Sequence, residues 1–389
     1  MSDTAGLIDI VVPVYQGLGA TRRCIESVLA SRCATGFELI VIDDAGPDPE
    51  LSAWLVELAA AGRISLHRNP ENLGFVASVN RGMALHPERD AVLLNSDTEV
   101  AGNWLDRLAA CVAADPAIAT ATPFSNNGTI CSYPQAGTGA ELPTGWSVAA
   151  LDAVFADVNA GCAVEIPTGV GFCLYVRRAA WQALGGFDLE RFGRGYGEEC
   201  DFCRRAAKAG WRNVVCADVF VYHEGSVSFG AERAQRVAVA GAVMQQLHPE
   251  YDPLVADFVR ADPLRPLRDA VSRARALRAC ADAGQVIAEL CAERDALAGK
   301  MGTELALHQE MAAVRARGRE LDDALAAAER FVALRQAEVV ALQAQLDTLV
   351  AQSAALQSAY KTLQMRYDTV TNSRTWRYSR RLLRLLGRS

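Results

Sequence analysis

The chain has 389 residues, of which 51% are hydrophobic, and a formal net charge of -7. That length exceeds the roughly 100–200 residues of a typical domain, so more than one folded unit fits, and the acidic balance excludes nucleic acid as the main partner, which would need a broadly basic surface. The 11 cysteines are scattered, many inside apolar runs such as Gly171-Phe-Cys-Leu-Tyr175, as expected of reduced buried thiols and not of a disulfide framework.

The first residues, Met-Ser-Asp-Thr-Ala-Gly, are acidic and lack a basic-then-apolar leader pattern, and no apolar run reaches the roughly 18 residues of a membrane span. A cytoplasmic protein is the expectation. From Leu7 to about Phe229 strand-like runs alternate with helical patterns, which predicts an α/β sheet with right-handed crossovers. The predicted strands are Ile8 to Val14, Phe37 to Ile42, Ile64 to His67, Ala91 to Leu94 and Ala117 to Ala121, with helices such as Thr21 to Ser31 and Gly74 to Leu85 between them. Thr122 to Glu165, rich in Gly, Pro, Ser and Thr, reads as a long irregular loop. A further strand ends near Arg177, Gly185-Gly186-Phe187-Asp188 makes a turn, and Gly195 to Gly210 is a loop leading into a helix.

In a mostly parallel sheet, ligands collect at the carboxyl ends of the strands. Polar clusters fall there: Asp43-Asp44 after the second strand, Asn95-Ser96-Asp97 after Leu94, Glu198, Glu199 and Asp201 at a helix start, and His223 after Val219-Phe-Val-Tyr. Each alone is turn, cap or solvated-face chemistry. Together, several carboxylates and an imidazole with little apparent positive charge suit a divalent cation, Mn2+ or Mg2+ before Zn2+. Cys200 and Cys203 form a C-x-x-C without a second pair at zinc spacing, so neither metal nor redox use is expected of them. Gly17-Leu-Gly19-Ala-Thr-Arg22 has Arg where the dinucleotide fingerprint needs its third Gly, and there is no G-x-x-x-x-G-K-[ST].

In order and spacing, residues 7–230 resemble the family-2 glycosyltransferases, inverting enzymes with the GT-A fold. Ile10-Val-Val-Pro-Val-Tyr15 resembles the family's opening strand, where Pro13 and Tyr15 border the base of a sugar nucleotide. Val41-Ile-Asp-Asp-Ala45 resembles its strand ending in paired aspartates, which implies that Asp44, beside Asp43, bonds base or ribose. Asn69 to Gly82 resembles the segment leading into the helix under the nucleotide and implies Asn72 and Asn80 on that side. Asn95-Ser96-Asp97 takes the place of the D-x-D motif, leaving Asp97, with His223, as metal ligand. Pro167-Thr168-Gly169 resembles the acceptor-side strand; Gly197-Glu198-Glu199-Cys-Asp201 resembles the Glu-Asp pair that contains the general base, either Glu199 or Asp201. The resemblance implies transfer of a sugar from a nucleotide-sugar donor to a saccharide or lipid-linked saccharide, in cell-surface polysaccharide assembly. A sugar-activating nucleotidyltransferase would carry a Gly-rich, Lys- or Arg-containing loop after the first strand, which Pro13 to Arg22 fits poorly; a non-catalytic coiled-coil adaptor with a degenerate transferase domain would be distinguished by absence of turnover.

The fold expected is a GT-A-like mostly parallel sheet flanked by helices over residues 1–235, then a helical or linker segment over 236–270 and an α-helical coiled coil over 271–370. Beyond Pro266 there is no proline, and a heptad register runs from Met311 to Tyr367 with Leu342, Leu349, Leu356 and Leu363 at d, which predicts a homo-oligomer. A single amphipathic helix folded back on the catalytic domain is the alternative. Residues 371–389 contain no acid and stack Arg374, Arg377, Arg381, Arg384 and Arg388 opposite Trp376 and several leucines, the pattern of a helix lying on a membrane surface. That places the protein peripherally on the inner face of the cytoplasmic membrane.

Overall fold

The computed structural model describes residues 6–137, 139–225, 230–278 and 307–373. The strands are β1 (Ile8–Val14), β2 (Phe37–Asp43), β3 (Ser65–Arg68), β4 (Ala91–Leu94), β5 (Thr98–Glu99), β6 (Ile118–Phe124), β7 (Ala163–Glu165), β8 (Cys173–Val176), β9 (Arg212–Phe220) and β10 (Tyr222–His223). The helices are α1 (Leu18–Ala30), α2 (Pro49–Ala60), α3 (Phe75–Met83), α4 (Trp104–Ala113), α5 (Val148–Val158), α6 (Arg178–Leu184), α7 (Leu189–Phe192), α8 (Glu198–Lys208), α9 (Gly230–Leu247), α10 (Tyr251–Ala261), α11 (265–278) and α12 (Leu307–Asn372). Two compact units result, Met1–Gln285 and Val286–Ser389.

In the first unit eight strands form one sheet in the order β3-β2-β1-β4-β8-β6-β9-β7, and β5 pairs with β10 in a separate ribbon. The run β3-β2-β1-β4 is parallel; β8 enters antiparallel to both β4 and β6, β9 runs parallel to β6, and β7 closes the edge antiparallel to β9. The apolar runs become strands because alternate side chains serve two cores, as a sheet covered on both faces requires. Ile10, Val12, Leu39, Val41, Val92 and Leu94 pack on one face with α1 and α4. Val11, Ile40, Ile42, Ala91 and Leu93 pack on the other with α3 and Phe202 of α8. Helix starts follow local chemistry: Asp48 caps α2, accepting from the Glu50 and Leu51 N–H groups at 3.0 and 3.1 Å, with Pro49 in the first turn.

One sequence expectation is corrected. The stretch 122–165, expected as an irregular loop, contains the end of β6, α5 and β7. Helix α5 forms because Val148, Leu151, Val154 and Phe155 supply a buried stripe and Ser147 caps its first turn. The segment 236–270, expected as a helical or linker segment, is largely helical and belongs to the sheet unit together with residues 271–278: Leu264 and Val271 are fully buried against α5 and β9, and Arg275 lies over the rings of Tyr133 and Trp146. In the second unit, α12 is one continuous helix through the expected heptads. Among the described residues no helix is long and apolar enough to cross a membrane. The basic tail lies, beyond Ser373, outside the described residues.

The amino ends of β1 and β2 are held by charge. Asp9 is fully buried, and Arg89 donates to it at 3.1 Å and to Glu38 at 2.8 Å, while His86 Nδ1 sits 3.0 Å from the other Asp9 oxygen. Removing the cation from a buried pair strands the carboxylate. Arg89→Leu should therefore cost about 3–5 kcal/mol, read as a lower urea midpoint, whereas Glu38→Gln, at the partly exposed end, should cost under about 1 kcal/mol; an unchanged midpoint for Arg89→Leu would overturn this assignment.

Candidate active site

Strands β1, β2 and β4 deliver their carboxyl ends to one edge of the sheet, and β8, running the other way, brings its amino end there. The ladder continues past the strands, for the Asn95 N–H donates to the Phe172 carbonyl at 2.9 Å. Three residues on, Thr98 and Glu99 pair with His223 and Tyr222. This ribbon sets Asp97 beside His223, whose Nε2 is 3.4 Å from an Asp97 carboxylate oxygen. The His223 ring is fixed on three sides. Nδ1 donates to the Asn127 carbonyl at 2.7 Å, the backbone on both sides of the ring is gripped by the Asn126 amide, and the ring stacks on Phe172 with centroids 5.3 Å apart. A histidine whose Nδ1–H is committed to a carbonyl carries its lone pair on Nε2, the tautomer metal ligands use. One cation bonded to each at roughly 2.1–2.2 Å would span such a separation. The residues present therefore fit a divalent metal with mixed oxygen and nitrogen ligation. Asn95 adds a buried side-chain oxygen without a hydrogen-bond partner.

The paired aspartates bond the loops around them. Asp44 is 5% exposed and accepts from the Asn69 amide at 2.7 Å, the Leu73 N–H at 2.8 Å and the Gly74 N–H at 2.8 Å. Its carboxylate shapes the loop from Asn69 into α3. Asp43 accepts from the Gly46 N–H at 3.2 Å and pairs with Arg68 at 2.9 Å. Asn80 clasps the Gly185-Gly186-Phe187 turn through both the N–H and the carbonyl of Phe187, and the Asn72 carbonyl accepts from Arg194. Pro13 and Tyr15 sit half-buried at the end of β1. There the chain folds back so tightly that a Cβ on Gly46 would lie 1.9 Å from the Tyr15 carbonyl oxygen, so only glycine fits.

On the other flank, α8 opens at Gly197, whose φ of 88° is the left-handed conformation glycine adopts without strain. Glu199 is partly buried with its carboxylate against Gly171, the residue next to Phe172. Burial holds its acid above the ordinary carboxylate range, opposed by backbone N–H groups of the helix start and of Gly171. Glu198 is 4% exposed, with one carboxylate oxygen unpartnered; burial first, and the neighbouring Glu199 charge second, push it up to about 8. Asp201 is engaged elsewhere, accepting from Arg205 at 2.8 Å and lying 2.8 Å from His248 Nε2, while Lys208 meets His248 Nδ1 at 2.8 Å. Thr168 and Gly169 are under this helix, where the Gly169 N–H points to Cys203 Sγ at 3.2 Å. Burial raises the Cys200 thiol and pushes Cys203 up to about 11, which leaves them protonated.

His248, Asn126 and Asn127 were not singled out from sequence. They act through contacts tens of residues away, and nothing in their neighbouring residues marks them. Among the described residues, the one trio of His, Cys, Asp or Glu with ligand atoms mutually within 4.8 Å is Asp9, Glu38 and His86. It lies at the amino ends of the strands, away from Asp97, and the Arg89 guanidinium already supplies its positive charge.

Glu198 supplies a test of this electrostatic picture. Its folded-state acid is weaker than in the unfolded chain, so its contribution to stability is present at and below the ordinary carboxylate range and is lost as pH rises through about 8. Glu198→Gln should remove that loss, so that its urea midpoint gains on the wild type between about pH 5 and pH 9; parallel profiles would overturn the assignment.

Comparison with known proteins bears on the same region. Residues 9–179 match the model for glycosyl transferase family 2. An uncharacterized protein, y4gI, of Sinorhizobium fredii is 24% identical over 237 residues, covering 58% of this chain and 25% of the relative. The N-acetylglucosaminyl-diphospho-decaprenol L-rhamnosyltransferase of Mycobacterium tuberculosis is 40% identical over 76 residues, covering 19% of this chain and 24% of the relative. The matches thus span about a quarter of the length of these curated relatives. A crystal structure of GalNAc-T7 with UDP, GalNAc and Mn2+ superposes with a TM-score of 0.47 at 16% identity, covering 69% of this chain and 55% of that one. Over residues 9–179, then, this chain is similar to glycosyl transferase family 2, in the part of the sheet that is mostly parallel and carries polar residues at the carboxyl ends of its strands.

Proposed function

We propose that the chain is an inverting glycosyltransferase that moves a sugar from a nucleotide-sugar donor to a saccharide or lipid-linked saccharide in cell-surface polysaccharide assembly. The observation that carries this reading is the convergence of two groups on one dipeptide: His223, beside Asp97, stacks on Phe172, and Glu199 rests against Gly171. Asp97 and His223 would hold a divalent cation, Mn2+ or Mg2+, whose charge offsets that of the departing diphosphate. Glu199 is the better-placed base, because both carboxylate oxygens of Asp201 are already bonded to Arg205 and His248. Its carboxylate takes the proton of the acceptor hydroxyl as that oxygen attacks the anomeric carbon and the bond to the diphosphate oxygen breaks on the opposite face. The raised pKa of Glu199 suits this task, since a base works best when its pKa approaches the working pH. The inversion follows from a single displacement.

The rhamnosyltransferase relative, named for a diphospho-decaprenol substrate, supports a lipid-linked acceptor. The basic tail from Arg374 supports attachment to the inner face of the cytoplasmic membrane, each arginine near an anionic surface contributing about 1 kcal/mol. The decisive experiment is a panel of sugar nucleotides with Mn2+ or Mg2+, read as nucleotide release and anomeric configuration; no turnover of any donor would favour a non-catalytic adaptor.

Two outcomes are specific to the residues. Asp97→Ala should abolish metal-dependent turnover with an unchanged melting temperature, and Glu199→Gln should lower kcat by about 10²–10⁴ with donor binding nearly intact; a larger loss in Asp201→Asn would exchange the roles of the two acids. The intact chain should co-sediment with anionic liposomes in a salt-sensitive way, and a chain ending at Ser373 should not; equal sedimentation of the two would rule out the tail as anchor.

A further inference from the structure

Helix α12 exposes an apolar seam along residues 332–370: Leu342, Leu346, Leu349, Leu356, Tyr360 and Tyr367 are each more than half exposed. They occupy the a and d positions of one heptad register, so they form a continuous stripe. The flanks of that stripe are nearly neutral. At the e and g positions between 331 and 370 stand Phe, Gln, Ala and Val, with two charges in all, Glu338 and Arg366. One charge lies inside the stripe: Arg335, at d, which bonds Glu338 at 2.6 Å and lies over the Phe331 ring.

We infer that a second copy of this chain covers the seam, running antiparallel, with the midpoint of the pair near Ala351. A parallel pair in register sets each d residue against its own copy, which would press Arg335 against the partner's Arg335 in an apolar layer and leave Glu338 facing a glutamine. The antiparallel pair centred on Ala351 resolves both. It layers Leu346 on the partner's Leu356, Leu342 on the partner's Tyr360 and Leu349 on the partner's Ser353. Arg335 then meets the partner's Tyr367, whose ring and hydroxyl both accept a guanidinium. In antiparallel pairs g residues flank g residues, and Glu338 faces the partner's Arg366, so the two flanking charges meet as opposites, twice by symmetry. All other facing flank positions in this span are uncharged. The inference is independent of the transferase reading.

The test is a double-mutant cycle on the full chain. Within one helix Glu338 and Arg366 are 28 residues apart, roughly 42 Å at 1.5 Å per residue, and in a parallel pair they are as far apart across the interface. Coupling between them can arise only in the antiparallel pair. Wild type should be a dimer at micromolar concentration by sedimentation equilibrium, and Leu346→Asp with Leu356→Asp should give a monomer whose melting temperature for the sheet unit is unchanged. Arg366→Glu should raise Kd roughly tenfold, and adding Glu338→Arg should recover most of that loss. A monomeric wild type, as when the helix folds back on its own chain, overturns the proposal. So does a dimer in which the two charge reversals simply add.

Discussion

The antiparallel ladder between β4 and β8 is the contact on which the candidate site depends. β4 belongs to the parallel half of the sheet and carries Asn95 and Asp97 out at its carboxyl end; β8 brings Gly171 and Phe172 to the same edge from the opposite direction. The pairing of Leu94 with Cys173, continued by the Asn95 N–H to the Phe172 carbonyl, fixes their relative height. A slip of one residue would turn Phe172 to the other face of the sheet. His223 would lose the ring it stacks on, and Glu199 the backbone it rests against. One ladder thus aligns a proposed metal site and a proposed base contributed by segments more than a hundred residues apart.

The two ends of the sheet handle buried carboxylates in opposite ways. At the amino end Asp9 is enclosed with the guanidinium of Arg89, and Arg89 itself is held more firmly protonated by Glu38 and Asp9. At the carboxyl end Glu198 is buried and Glu199 partly buried with helix-start N–H groups for company, and both acids are raised, first by burial and, for Glu198, second by the neighbouring Glu199 charge. Compensated charge stabilises; uncompensated charge keeps a proton within reach of neutral pH. The contrast separates a structural cluster from a chemically poised one more clearly than residue type does, since the amino-end trio is the richer in metal-compatible groups.

Much of this was legible in the sequence wherever the cause is local. The short apolar runs located β1, β2 and β4 to within a residue, and Asn95-Ser96-Asp97 stood out because a polar cluster ended a buried strand. What was not legible depends on distant partners. Asp44 reads in sequence as a residue bonding base or ribose; that it also accepts from three donors 25 to 30 residues downstream is visible only in three dimensions. Asp201 and Glu199 look equivalent until His248, 47 residues on, is seen bonded to the former. Helix α5 was hidden by the glycines and prolines that precede it, and the place of α11 in the sheet unit by an Ala- and Arg-rich composition that runs on toward α12.

The tie between Asp201 and His248 also bears on how such a chain can be cut and recombined. The family match stops at residue 179, yet α8 lies beyond it and is itself braced by the junction between α9 and α10. A chain severed at 179 would lack Glu199 and His223 altogether, and one severed at 235 would keep them but open Asp201 to water and uncover the α5 face on which Leu264 and Val271 pack. The sheet unit therefore runs past α11 to Gln285, so that exchange of one C-terminal helical appendage for another leaves the supports of the candidate site whole when the joint falls beyond that residue.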